Sequence, residues 1–81
     1  MTTQPVVKIY STPSCVYCKM AKEHFDDNKI VYENIDVASD AKARDYIVNR
    51  SGQMGVPVIE IGNEVIIGFD QERINQLLKI S

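Results

Sequence analysis

Val6-Val7-Lys8-Ile9-Tyr10-Ser11-Thr12-Pro13-Ser14-Cys15-Val16-Tyr17-Cys18 runs from an apolar stretch through a short polar turn into two cysteines two residues apart. Residues 6–10 read as a short buried strand, because β-branched and aromatic side chains suit a pleated surface. After the turn, residues 19–28 read as a helix. Tyr17, Met20, Ala21, His24 and Phe25 recur at i, i+3, i+4, i+7 and i+8, which is one helical face, and Lys19, Lys22, Glu23 and Asp26 take the other. The only two cysteines of the chain therefore stand at the N-terminus of a helix that follows a strand. Unpaired N–H groups and the positive dipole end favour thiolate over thiol at that point, so the pair is placed for redox chemistry. Cys15, at the helix end, is expected to be the exposed nucleophile. Cys18, one turn further in, is expected to be the shielded sulfur that attacks the mixed disulfide. Lys19 reads as a solvated surface lysine.

The remainder of the chain supplies a sheet to carry that turn. Asp27-Asn28-Lys29 stops the first helix, and residues 30–37 read as a second strand. Ser39 or Asp40 caps a second helix with Ala43, Tyr46 and Ile47 inward, closed by Ser51-Gly52. A loop through Met54-Gly55-Val56-Pro57 leads to strands over residues 58–61 and 64–67. Gly62-Asn63 between them is a two-residue hairpin signal. Asp70 caps a last helix, with Phe69 before it and Ile74 inside it at the spacing of a hydrophobic staple. Ile74, Leu77 and Leu78 form the buried stripe of that helix. The order is βαβαββα, an α/β fold with a four-stranded mixed sheet flanked by three helices.

Composition bounds the answer. At 81 residues the chain makes one domain, residues 6–81, after a polar start over residues 1–5 that is expected to fray. The net charge is −2, with four lysines against three acids over residues 1–29 and five Lys or Arg against eight acids over residues 30–81. That distribution gives no basic stripe for nucleic acid. No apolar run reaches the length of a membrane span, and no basic-then-apolar leader opens the chain. The expectation is a soluble, cytoplasmic monomer, a setting in which a paired dithiol is catalytic or metal-binding more often than a structural staple.

Pro57 is the second signal. On its own it is an ordinary turn proline at a strand start, since only about 5–6% of X–Pro bonds are cis. If the sheet brings that loop beside the dithiol, Val56 offers a free N–H and C=O to an extended peptide. Taken together, Cys15-Val16-Tyr17-Cys18 on a strand-to-helix turn, Val56-Pro57 before a hairpin, and Gly68-Phe69-Asp70 opening the last helix resemble the glutaredoxin branch of the thioredoxin-fold family. The resemblance spans residues 6–80. It implies the thioredoxin fold and dithiol exchange chemistry, with Cys15 attacking, Cys18 resolving, and a cis Val56-Pro57 pair docking the substrate. It also implies a glutathione groove bordered by Tyr17, Gly68, Phe69 and Asp70, with Asp70 helping to hold the γ-glutamyl end, and glutathione as co-substrate without a tightly bound cofactor. Four positions depart from the pattern: Val16 stands for the usual proline, Ile67 for a glycine, Gln71 for a second acid and Thr12 for a lysine. Val16 and Gly68-Phe69 are similar to the small redoxins that feed ribonucleotide reductase and are recharged by thioredoxin reductase.

Two rival readings follow. One is such a redoxin, a hydrogen donor indifferent to glutathione, with Phe69 filling the groove. The other is a thioredoxin-fold module holding a metal or iron–sulfur cluster between two chains through Cys15. Structural zinc takes four ligands, and two cysteines with one histidine fall short within one chain. His24, on the inner stripe, reads as a core-margin histidine without a catalytic role. Tyr10, Tyr32 and Tyr46 read as core or rim, Met20 as packing, and Tyr17 as a groove wall.

Overall fold

The computed structural model describes residues 5–52 and 55–80. Met54 lies outside them, and so does the N-terminal start except Pro5. The elements are β1 (Val7–Ser11), α1 (Val16–Asp27), β2 (Glu33–Asp36), α2 (Ala41–Ser51), β3 (Val58–Ile61), β4 (Glu64–Ile67) and α3 (Gln71–Leu78). The strands form one sheet in the order β2-β1-β3-β4, with β1 parallel to β2 and antiparallel to β3, and β3 antiparallel to β4. The element order is the βαβαββα that the sequence signals predict, and the topology is the thioredoxin fold that the resemblance implies.

Alternation along β1 divides the molecule into two cores. Val7 and Ile9 join Ile59, Ile61, Ile66, Ala21, Phe25 and Ile74 under α1 and α3. Tyr10 joins Val37, Ile47 and Val58 under α2. Apolar side chains line both faces of β1 and β3, as a sheet covered on both sides requires. Asp40, not Ser39, caps α2 by accepting the Ala43 N–H at 3.0 Å, and Gly52 closes the helix at φ +77°, a left-handed conformation that favours glycine. Phe69 and Ile74 both pack into the α1–α3 core, as the staple spacing predicts.

Two sequence expectations shift. The second strand begins at Glu33 and not at Ile30, because the β1–β2 register pairs Lys8 with Glu33 and leaves residues 30 and 31 opposite residues that precede β1. Ile30 and Tyr32 still pack on the core without extending the ladder. In α1 the buried side chains are Cys18, Ala21 and Phe25, whereas Met20 is 43% exposed; Tyr17, read as a groove wall, is 62% exposed. The inward stripe is thus turned by about one position, and Met20 is a rim residue, not core packing.

Burial leaves a signature in alkali. Tyr10 is 3% exposed and its hydroxyl donates to Glu60 Oε1 at 2.9 Å. Burial, and then the bond to Glu60, hold this phenol protonated well above the usual tyrosine range. In the unfolded chain Tyr10 ionises from about pH 10 while the folded form keeps its proton, so the unfolded state binds fewer protons and stability falls as pH rises past about 10. Tyr10→Phe is expected to lower stability at neutral pH but to flatten the decline of the urea midpoint between about pH 9.5 and 11. Tyr32, also raised by burial and then by Asp26, keeps part of the slope in the variant.

Candidate active site

The register gathers the singled-out segments at one end of the sheet. Tyr10 pairs with Val58 and Val58 with Ile67. Moving forward from Tyr10 leads to the turn before Cys15, moving back from Val58 leads to Pro57 and Val56, and moving forward from Ile67 leads to Gly68, Phe69 and Asp70. Because β1 and β4 run antiparallel to β3, these three connections leave the sheet on the same side.

The first connection is built on a buried polar contact. Ser11, 1% exposed at the end of β1, donates its hydroxyl to Asn34 Oδ1 at 2.8 Å, and the Val37 N–H donates to the Ser11 carbonyl at 2.9 Å. The turn then closes with the Cys15 N–H on the Thr12 carbonyl at 3.2 Å. Cys15 is the N-cap of α1: its backbone is extended, its carbonyl accepts the Lys19 N–H, and its Sγ accepts the Cys18 N–H at 3.1 Å. A sulfur in that position is aimed by the helix end itself. Cys15 is half-buried and Cys18 is 1% exposed, and the two form a disulfide with their Cα atoms 5.2 Å apart. One sulfur faces outward and the other lies behind it, within bonding reach.

The second connection holds a cis Val56–Pro57 bond, with the Pro57 ring fully buried and Val56 half-buried. The third is tied to it, since the Gly68 N–H donates to the Pro57 carbonyl at 2.8 Å. Gly68 sits at φ +81°, where a side chain is strained whatever the space around it. Phe69 is half-buried, with its ring against the α1–α3 core and 5.8 Å edge-on from His24. Asp70 is exposed and its Oδ1 accepts the Arg73 N–H at 3.2 Å, capping α3. Ile67 is 50% exposed on the edge strand and Val16 is 69% exposed beside the cysteines.

His24 sits at the core margin, as the sequence predicts, with Nε2 2.8 Å from Asn75 Oδ1, so this nitrogen donates across α1 and α3. Among the described residues no group of three or more His, Cys, Asp and Glu side chains converges to hold a metal ion. Nor is any described helix long and apolar enough to cross a membrane. Sequence reasoning missed Ser11 and Glu60. The available signal was the same for both, a polar side chain beside core positions of its strand, Tyr10 and Ile9 for Ser11 and Ile59 and Ile61 for Glu60.

A cysteine pair at a helix N-terminus, one sulfur outward and its partner buried within bonding distance, on a thioredoxin-fold sheet, defines a dithiol-type thiol–disulfide oxidoreductase. Comparison with known proteins places the chain more closely. The family model described as Glutaredoxin matches residues 7–66, and the chain belongs to that family. It is 40% identical over 74 residues to an uncharacterized glutaredoxin-like 8.6 kDa protein of the rubredoxin operon of Clostridium pasteurianum, covering 91% of this chain and 99% of that one. The solved thioredoxin-like protein BC3987 superposes with a TM-score of 0.83 at 35% identity, covering 89% of this chain and 99% of that one. The glutaredoxin-like NrdH-redoxin of Escherichia coli, described as having a thioredoxin-like activity profile, superposes with a TM-score of 0.78 at 27% identity, covering 88% and 92%.

Proposed function

We propose that residues 6–81 act as one cytoplasmic, monomeric domain that reduces disulfides of partner proteins and glutathione mixed disulfides, with glutathione as the co-substrate that recharges it. The observation that carries this reading is the asymmetry of the pair, an accessible Cys15 capping α1 over a Cys18 that is 1% exposed. The Cys15 thiolate attacks one sulfur of the substrate disulfide, forming a Cys15–substrate disulfide and releasing the other sulfur as thiolate. The Cys18 thiolate then attacks Cys15 Sγ, closing the Cys15–Cys18 disulfide and releasing the reduced substrate. During the first step the substrate segment pairs with the backbone of Val56 beside cis Pro57. Tyr17, Gly68, Phe69 and Asp70 border the groove for glutathione, with the N-terminus of α3 toward its carboxylate.

A second reading, a redoxin recharged by thioredoxin reductase, is supported by two features at that groove. Ile67 puts a half-exposed branched side chain where the family pattern has glycine, and the Asp70 carboxylate is already engaged with Arg73 of its own helix. The thioredoxin-like profile attributed to the E. coli NrdH-redoxin points the same way. NADPH consumption decides between them. The oxidised protein is supplied with glutathione and glutathione reductase in one cuvette and with thioredoxin reductase in the other. Turnover with glutathione is the expected result; turnover confined to thioredoxin reductase replaces the first reading by the second and removes Asp70 from the ligand set.

A further inference from the structure

Glu60 is a carboxylate inside an otherwise apolar strand and is only 7% exposed. Its Oε1 accepts the Tyr10 hydroxyl from β1, and its Oε2 accepts the Tyr46 hydroxyl and the Arg50 Nε, the latter at 3.3 Å, both from α2. Arg50 in turn donates from Nη2 to the Asn63 carbonyl at 3.1 Å, in the turn between β3 and β4. A carboxylate removed from water is unfavourable unless its lone pairs are filled, and this one is held by three donors from two other elements. An apolar residue would satisfy the same position in the sheet with less to solve, so the choice of Glu60 calls for a geometric reason.

The chain between the partners supplies one. Arg50 lies in the last turn of α2 and Glu60 in β3, ten positions later, and the intervening segment carries Val56 and Pro57. Both ends of that segment are therefore gripped by one carboxylate. We propose that Glu60 is a positioning residue for the Val56–Pro57 backbone. By tying the last turn of α2 to the third residue of β3, it closes the connection between them and so sets the direction in which Val56, within that connection, presents its N–H and C=O to the substrate segment. The inference rests on the reading that Val56 docks the substrate. It adds that this backbone is held from the face of the sheet opposite α1, by a group that touches neither sulfur nor substrate.

The test compares insulin, whose disulfides lie in a polypeptide, with 2-hydroxyethyl disulfide, which has no strand to dock. In Glu60→Gln only one oxygen is left to accept and the negative charge that faces Arg50 is lost, so the grip on the end of α2 is weakened. The expected result is a KM for insulin raised about five-fold or more, with kcat within about two-fold and the small disulfide unaffected. Equal losses on both substrates, or none on either, overturn the inference, because a merely structural bond has no reason to separate them. Pro57→Ala, measured alongside, separates this inference from its premise. If Pro57→Ala raises the insulin KM and Glu60→Gln does not, only the anchor fails; if neither does, the docking reading fails with it. Should Glu60→Gln not fold, Tyr46→Phe, which removes one bond from a half-exposed residue, is read in the same way with an expected shift of about two-fold.

Discussion

Cys15→Ser is expected to leave less than about one thousandth of the disulfide-reducing turnover with any substrate or reductant. The reason is geometric as well as chemical. Cys15 Sγ is the sulfur at the open end of α1, while Cys18 is 1% exposed and cannot approach a disulfide in another molecule without uncovering the core. A serine hydroxyl in place of Cys15 still caps the helix by accepting the Cys18 N–H, so the variant is expected to fold and to fail only in chemistry. Cys18→Ser is expected to behave differently. The first attack proceeds, the second cannot, and the mixed disulfide with a protein substrate accumulates as an adduct visible by mass spectrometry. Glutathione mixed disulfides are still expected to be reduced by this variant, because glutathione itself resolves the intermediate. Substantial activity in Cys15→Ser, or no adduct in Cys18→Ser, contradicts the assigned order of attack.

Phe25→Ala is expected to lower stability by about 3–5 kcal/mol. Phe25 is fully buried, packs with Ala21, Ile59 and Ile74, and stacks at a tilt on Tyr32 with ring centroids 5.3 Å apart. It is the side chain through which α1, and with it the cysteine pair, is held to the sheet. A domain of 81 residues has a total stability of about 4–12 kcal/mol, so this one truncation removes a large part of it. Urea denaturation followed by circular dichroism measures the loss. Glu23→Ala, on the exposed side of the same helix, is the control and is expected to change stability by less than about 0.5 kcal/mol. A loss below about 1 kcal/mol in Phe25→Ala is incompatible with the packing described.

Local signals carried most of the fold into view. The caps at Asp40 and Asp70, the Gly62-Asn63 turn and the stop at Gly52 are short-range chemistry, and each lies where the sequence puts it. What the sequence hid depends on partners distant along the chain. The start of β2 is decided by where β1 begins, so Ile30 and Val31 look like strand and lie before the β1–β2 register. The rotation of α1 is decided by the core beneath it. Met20 fits the helical period beside Ala21 and Phe25, and only packing leaves it at the rim while those two are buried. Glu60 was legible as an acid within an apolar strand, but its meaning required Tyr46 and Arg50, which no local pattern connects to it. For the site, the cysteine pair was readable from its spacing. The convergence of Pro57 and Gly68 on the same end of the sheet became visible only with the register.

Residues 12–15 and 68–70 are connections of four and three residues, the first closed by the Cys15 N–H on the Thr12 carbonyl and the second tied by the Gly68 N–H to the Pro57 carbonyl. In the proposed mode of action such a surface works like the fixed contacts of a socket, with little freedom to adapt to what approaches it. The adjustment then falls to the other molecule. A disulfide in a chain that can straighten for several residues enters readily, and one locked inside a rigid fold does not, so the pliability of the substrate becomes a criterion of selection alongside its chemistry.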